Sequence, residues 1–199
     1  PDRGKVLHAA DLEKIQKFSR YLDVDGDGIA ARTLPGVGGK GAYFVRGSGH
    51  DKHAAYTEDS DAYQELVDRL KRKFEHAATA MPKPAFTLQD GAEIGLVTIG
   101  GCDAAVREAA DILRAQGIIV DVMRIRSFPF GAEVKAFFDR HERTYVIEQN
   151  RDAQLRALLA IELGIPRDAM HSILDYGGMP LTAKVVVDAV SSSVAGVTA

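Results

Sequence analysis

Cysteine is nearly missing from these 199 residues, with Cys102 standing alone. That excludes an internal disulfide, and any zinc or iron–sulfur site of four cysteines built from this chain. A reducing, cytoplasmic setting fits. There is little excess charge of either sign: a net charge of -3 and a pI near 6.1 give no field that would gather polyanions, so nucleic acid is not an expected partner. The one basic run, Lys71-Arg72-Lys73, lies among Glu65, Asp68 and Glu75 and reads as a solvated helix face. No stretch approaches the length of an apolar membrane span, and no charged-then-apolar leader opens the chain, so neither membrane nor signal peptide is expected. The first residue is Pro1, which leads us to expect a piece of a longer polypeptide.

What is present is globular. With 46% hydrophobic and 27% charged residues, the chain can bury one ordinary core, or one core plus an appended substructure. Leu12, Ile15, Phe18 and Leu22 follow Asp11 at helical spacing, predicting a helix over 9–22 with Asp11 as N-cap. Residues 23–59 hold eight of the nineteen glycines and one strand-like run, Ala42 to Val45. Irregular segments of that length tend to be functional or disordered. From Asp59 a stripe of Tyr63, Leu66, Val67, Leu70, Phe74, Ala77, Ala78 and Met81 predicts a long amphipathic helix. Pro82 and Pro84 end it and mark the domain boundary. The expected domains are 1–84 and 85–199.

Beyond the prolines, strand-like runs (Ile94 to Ile99, Ile118 to Val122, Thr144 to Ile147, and a weaker one near Ser172 to Leu174) alternate with amphipathic helices. This alternation predicts an α/β fold with a mainly parallel sheet covered on both faces. Pro180 is placed in the first turn of a last helix, and Ser191-Ser192-Ser193 in a frayed tail.

Candidate sites are few. Asp23-Val24-Asp25-Gly26-Asp27-Gly28 matches the first half of a calcium-binding EF-hand loop, but Leu34 stands where the closing glutamate belongs, so an acidic turn is favoured. His50-Asp51-Lys52-His53 offers three metal ligands within four residues, against the preferred reading of a loop that orders its own backbone. Gly100-Gly101 joins a strand to a helix, where α/β sheets bind phosphate. Asp103, an expected N-cap, would put a carboxylate in that place. Cys102 could be activated by the helix N-terminus, although a buried filler is the simpler reading. Glu148-Gln149-Asn150, with Gln154 close behind, should emerge at the carboxyl edge of the sheet, available to a partner or capping the next helix through Asn150 or Asp152. No catalytic residue and no metal site is nominated.

Three ordered strings carry a family resemblance: Pro1-Asp2-Arg3-Gly4-Lys5; Arg20-Tyr21 through Asp27-Gly28-Ile29 to Arg32-Thr33-Leu34-Pro35-Gly36; and Gly49-His50-Asp51 with Thr57-Glu58-Asp59. They resemble the end of the pyrimidine-binding domain in alpha subunits of 2-oxoacid:ferredoxin oxidoreductases, particularly the 2-oxoglutarate type. Tyr145 to Asn150, Gln154-Leu155 and Tyr176-Gly177-Gly178-Met179-Pro180 are similar to the domain that follows it, whose fold is like the carboxy-terminal domain of transketolases.

The resemblance implies a complex that decarboxylates a 2-oxoacid oxidatively, using thiamine diphosphate, Mg²⁺ and a [4Fe–4S] cluster. Electrons go to ferredoxin and the acyl group to coenzyme A. Its implied partners are a beta subunit carrying thiamine diphosphate and the cluster, and a second alpha subunit. The thiamine and cluster motifs of the family are absent from this chain, and Gly26-Asp27-Gly28 matches one of them by letters only. The expected contribution is therefore scaffold, plus a glycine-rich loop in which Arg32, Thr33, His50 and Asp51 come near the substrate. Two other classes compete: a non-catalytic oligomerisation or partner-docking module, and a flavodoxin-like ligand binder.

Overall fold

The computed structural model describes residues 3–44 and 47–196, which form two compact units, Pro1–Ala80 and Met81–Ala199. Pro1, Asp2 and Val45, parts of strings singled out above, lie outside the described residues.

The first unit has two α-helices, α1 (Ala9–Glu13) and α2 (Ser60–Ala80), around a long irregular segment. Helix α1 is much shorter than its periodicity predicts, and its N-cap is His8. Asp11 sits three residues inside and accepts the His8 N–H. The helix stops because tertiary contacts claim the following side chains: Phe18 packs on Tyr43, and Tyr21 stacks on His50 while its N–H bonds to the Lys52 carbonyl. Ala42 to Phe44 do not form a strand. Helix α2 starts where expected, with Asp59 accepting the Ala62 N–H as its cap.

Of the apolar stripe of α2, Leu66 is half-buried beside Tyr21 and Asp23, while Tyr63, Val67 and Leu70 are exposed. The buried residue of the helix is Arg69, which donates to the Gly28 carbonyl at 2.9 Å. Gly28 has φ +81°, and a Cβ there would stand 2.2 Å from the Lys73 backbone nitrogen, so glycine is required by both conformation and contact.

The second unit carries a five-stranded sheet, β1 (Ala85–Thr87), β2 (Ile94–Ile99), β3 (Val120–Ile125), β4 (Arg143–Glu148) and β5 (Met170–Leu174), in the order β1-β3-β2-β4-β5. Four strands are parallel, and β1 joins β3 antiparallel. The α/β class and mainly parallel sheet are those predicted. Helices α3 (Asp103–Ala115), α4 (Ala132–Arg140), α5 (Gln154–Leu163) and α6 (Ala183–Ala195) complete the layers.

Register explains the near-continuous apolar runs. Leu96, Val122 and Tyr145 align and face one way, into a core shared with α3 and α6; Val97, Met123 and Val146 align one residue on and face the other way, into a core shared with α4 and α5. Beneath the second core Asp121 and His141 are buried. Asp121 accepts the Gln89 N–H at 2.6 Å, His141 Nε2 lies 3.0 Å from its other oxygen, and His141 Nδ1 lies 2.6 Å from the Phe137 carbonyl. Gly95 makes room for this arrangement, since a Cβ there would come within 2.7 Å of the Phe137 ring.

Three local expectations change. Helix α6 begins at Ala183 behind Thr182, so Pro180 precedes the helix rather than opening it, and Ser191 to Ser193 are helical because buried Val186, Val187 and Val190 hold the segment down. The N-cap of α3 is Cys102, while Asp103 is helical and pairs with Arg107 and Arg124. Strand β1 was not anticipated, being three residues long. Among the described residues no helix is long and apolar enough to cross a membrane.

Candidate functional site

In the first unit the glycine-rich segment is tied at its neck. Arg32 donates its N–H to the Lys5 carbonyl and its own carbonyl accepts the Leu7 N–H, forming a bridge between Val6 and Arg32. The next residue, buried Thr33, donates its hydroxyl to the Gly41 carbonyl at 2.7 Å. Residues 33–43 thus close into a loop around an open hollow of about 340 Å³ lined by Leu34, Pro35, Val37 and Tyr43. Arg32 stands at its neck with Nε buried and without a partner. No carboxylate among the described residues pairs with that guanidinium.

His50 and Asp51 lie elsewhere in the unit and serve local order. His50 stacks on Tyr21 at 4.0 Å between ring centroids. Asp51 accepts the N–H groups of His53 and Ala55. Burial pushes its carboxyl up, yet those two donors outweigh burial and hold it below the ordinary range. His53 is engaged with Ser19. The three potential ligands of this segment therefore do not converge.

Three carboxylates do converge in the acidic turn: Asp23, Asp25 and Asp27 offer oxygens within 4.8 Å of one another. The Lys5 ammonium lies among them, 2.6 Å from both Asp25 and Asp27. Asp23 accepts the N–H groups of Gly26 and Gly28 and pairs with Arg72. Lys5 and Arg72 thus offset two of the three carboxylate charges of the turn.

At the carboxyl edge of the sheet, the parallel strands β2 and β4 are neighbours whose following helices lie on opposite faces, the arrangement that opens a crevice in α/β folds. The side chains placed there are spoken for unevenly. Glu148, 1% exposed, accepts the N–H groups of Leu155 and Arg156 and the Asn150 amide. It supplies from β4 the cap that α5 lacks at Ala153. Asn150 accepts the N–H groups of Asp152 and Gln154. Gln149 and Gln154 remain exposed, beside Ile99, Tyr176 and Met179, which are exposed as well. Carboxylates already occupy both helix starts, Asp103 on α3 and Glu148 on α5, which disfavours phosphate. Burial pushes the Cys102 thiol up from its ordinary range, the opposite of nucleophile activation.

Sequence reasoning identified Glu148 but not its role as a remote cap, because that role depends on β4 delivering it seven residues ahead of Leu155. It also missed the Asp121–His141 pair, whose partners are separated by a whole βα unit and carry no local signature.

No family model matches the chain. The alpha subunit of 2-oxoacid:ferredoxin oxidoreductase 2 from Aeropyrum pernix is 28% identical over 193 residues, covering 94% of this chain and 28% of that protein. Among solved structures, the 2-oxoglutarate:ferredoxin oxidoreductase from Magnetococcus marinus, with 2-oxoglutarate, coenzyme A and succinyl-CoA bound, superposes with a TM-score of 0.79 at 23% identity, over 88% of this chain and 30% of that one. The chain thus spans less than a third of the length of these relatives. The resemblance read from the sequence holds: this chain is similar, over nearly its whole length, to part of a 2-oxoacid:ferredoxin oxidoreductase alpha subunit.

Proposed function

We propose that this chain is the carboxy-terminal part of the alpha subunit of a 2-oxoacid:ferredoxin oxidoreductase acting on 2-oxoglutarate. The complex converts a 2-oxoacid and coenzyme A to acyl-coenzyme A and carbon dioxide, and passes the released electron pair to ferredoxin one electron at a time. Thiamine diphosphate, Mg²⁺ and the [4Fe–4S] cluster belong, in this reading, to the beta subunit. The residues described here do not fit them, with one cysteine and an acidic triad already filled by Lys5. No step is assigned to them on this chain. Its share is scaffold and a loop that covers a neighbouring active site.

The carrying observation is Arg32. Its main chain is fixed on both sides, yet its guanidinium has no counter-ion among the described residues and its Nε is buried without a partner. A buried donor left unsatisfied is costly, and a fixed guanidinium suits the carboxylate of a substrate. Thr33 holds the loop neck, while His50 and Asp51 order their own segment elsewhere in the unit. At the sheet edge, Gln149 and Gln154 face a partner subunit, and Glu148 and Asn150 hold them in place.

The test is kinetic, in the reconstituted complex. A charged hydrogen bond contributes about 1.5–3 kcal/mol, so Arg32→Ala should raise the KM for 2-oxoglutarate about 10- to 100-fold, with Arg32→Lys intermediate. Unchanged KM and kcat in Arg32→Ala would remove Arg32 from the site.

A further inference from the structure

Between α3 and the strands β1 and β3, the second unit holds a hollow of about 210 Å³. Its floor is apolar, because Val120 and Val122 of β3 turn toward α3 and the core they share with it. Thr87 on antiparallel β1 is the register partner of Val122, so its hydroxyl stands on the same face and lines the hollow. Arg107, Ala110 and Arg114 supply the helical wall. Their spacing of three and four residues puts them on one face of α3. The two arginines are therefore about 10 Å apart along the helix axis, at 1.5 Å per residue, with alanine between them.

The polar groups of this wall are only partly used. Arg107 donates from Nε to Asp103 at 3.0 Å and from a terminal nitrogen to the Thr87 hydroxyl at 3.4 Å, and Arg114 donates to Asp111. A guanidinium carries five N–H donors, so each arginine keeps donors for a ligand. Asp103 is shared with Arg124 as well, and three cations, Arg107, Arg114 and Arg124, thus stand against two carboxylates, Asp103 and Asp111. The surplus is positive. On the opposite side, Asp121 fixes Gln89 by accepting its N–H at 2.6 Å, while the Gln89 side-chain amide lines the hollow and makes no hydrogen bond among the described residues.

Size and charge select the ligand. The volume is room for about seven water molecules at about 30 Å³ each, which suits a molecule of about ten non-hydrogen atoms. An apolar floor with a few placed polar groups is the usual make-up of a small-molecule site, and a cation toward each end favours an anionic group at each end. We propose that this hollow binds a short-chain dicarboxylate, with one carboxylate at Arg107, the other at Arg114, and the methylene chain over Val120 and Val122. The Gln89 amide is placed for a carbonyl or hydroxyl on that chain. Inorganic phosphate would meet one arginine and leave the valines uncovered, and a nucleotide exceeds the volume. The inference does not rest on the reading of Arg32.

The experiment titrates the 199-residue chain with glutarate, valerate and inorganic phosphate at constant ionic strength, reading methyl shifts by NMR. Glutarate should shift the Val120, Val122 and Ala110 methyls saturably. Valerate, with the same chain and one carboxylate fewer, should bind at least about tenfold more weakly, and phosphate should give no saturable shift at those methyls. Arg107→Gln and Arg114→Gln should each weaken glutarate at least about tenfold, and Ala110→Met should abolish binding by filling the hollow. Circular dichroism checks that each variant keeps its helices. Arg32→Ala should leave glutarate binding unchanged. Absence of a saturable glutarate shift, equal binding of valerate, binding that survives both arginine substitutions, or loss of binding in Arg32→Ala would each overturn the proposal.

Discussion

Pro1–Ala80 and Met81–Ala199 are folded by different means. The second unit buries a full layer of aliphatic side chains on each face of its sheet, whereas in the first Leu12 is the buried hydrophobic residue among those described. What holds the first together is polar: the Lys5 pair with Asp25 and Asp27, the Thr33 and Arg69 bonds to backbone carbonyls, the stacking of His50 on Tyr21. Hydrophobic burial is the main favourable term in folding and surface ion pairs contribute little. A unit built mostly of the latter is expected to be the less stable of the two.

The largest expected effect separates the units outright. Expressed alone, residues 81–199 should show a cooperative calorimetric transition and residues 1–80 none; a cooperative transition in the smaller piece would erase the contrast. Next comes the buried pair. Asp121→Ala strips His141 of its carboxylate partner in a site where both side chains are 0% exposed, and breaking a buried pair costs about 3–5 kcal/mol. Urea unfolding measures it, and a loss below about 1 kcal/mol would mean that the pair is not holding the core. Glu148→Ala should cost about 2 kcal/mol, since two N–H groups at the start of α5 lose their acceptor. Glu148→Gln, keeping an acceptor, should cost less in the same assay.

The smallest effect is confined to the first unit. Asp27 and Asp51 are both held below the ordinary value of 3.8, Asp27 foremost by its bond from Lys5 and Asp51 by backbone donors that outweigh its burial. A folded-state carboxyl depressed in this way adds stability above its unfolded value, and that stability is lost as pH falls through the folded value. Limited proteolysis within residues 23–59 should therefore quicken below about pH 3.8, with amide exchange in the sheet core unchanged. Equal acid sensitivity in the two units would contradict this.

The legibility of the two units also differs, for a related reason. Ile94 to Ile99 reads as a strand and is one, residue for residue, because a strand buried on both faces must be apolar throughout. The ends of β3 and β5 moved by a few residues, and β1 escaped notice because three residues carry no period. In the first unit, periodicity promised a helix to residue 22 and gave five residues. There the outcome rests on single contacts, such as Tyr21 on His50, that no local pattern announces. The candidate residues divide likewise. Arg32 and the sheet-edge strings were visible as letters, but the cap made by Glu148 and the filling of the acidic turn by Lys5 join residues distant in sequence.

By itself, the sequence determined that strands alternate with helices after the prolines, that α2 carries an apolar stripe, and that one cysteine cannot hold a cluster. These follow from composition and from spacing along a single element. Tertiary structure decided which faces those elements present: that α2 turns its arginine inward, that Glu148 caps a helix seven residues on, and that Arg32 Nε is buried without a partner among the described residues. Such choices belong to the packing of distant segments, where the free energy of a residue is set by neighbours its own stretch of chain does not contain.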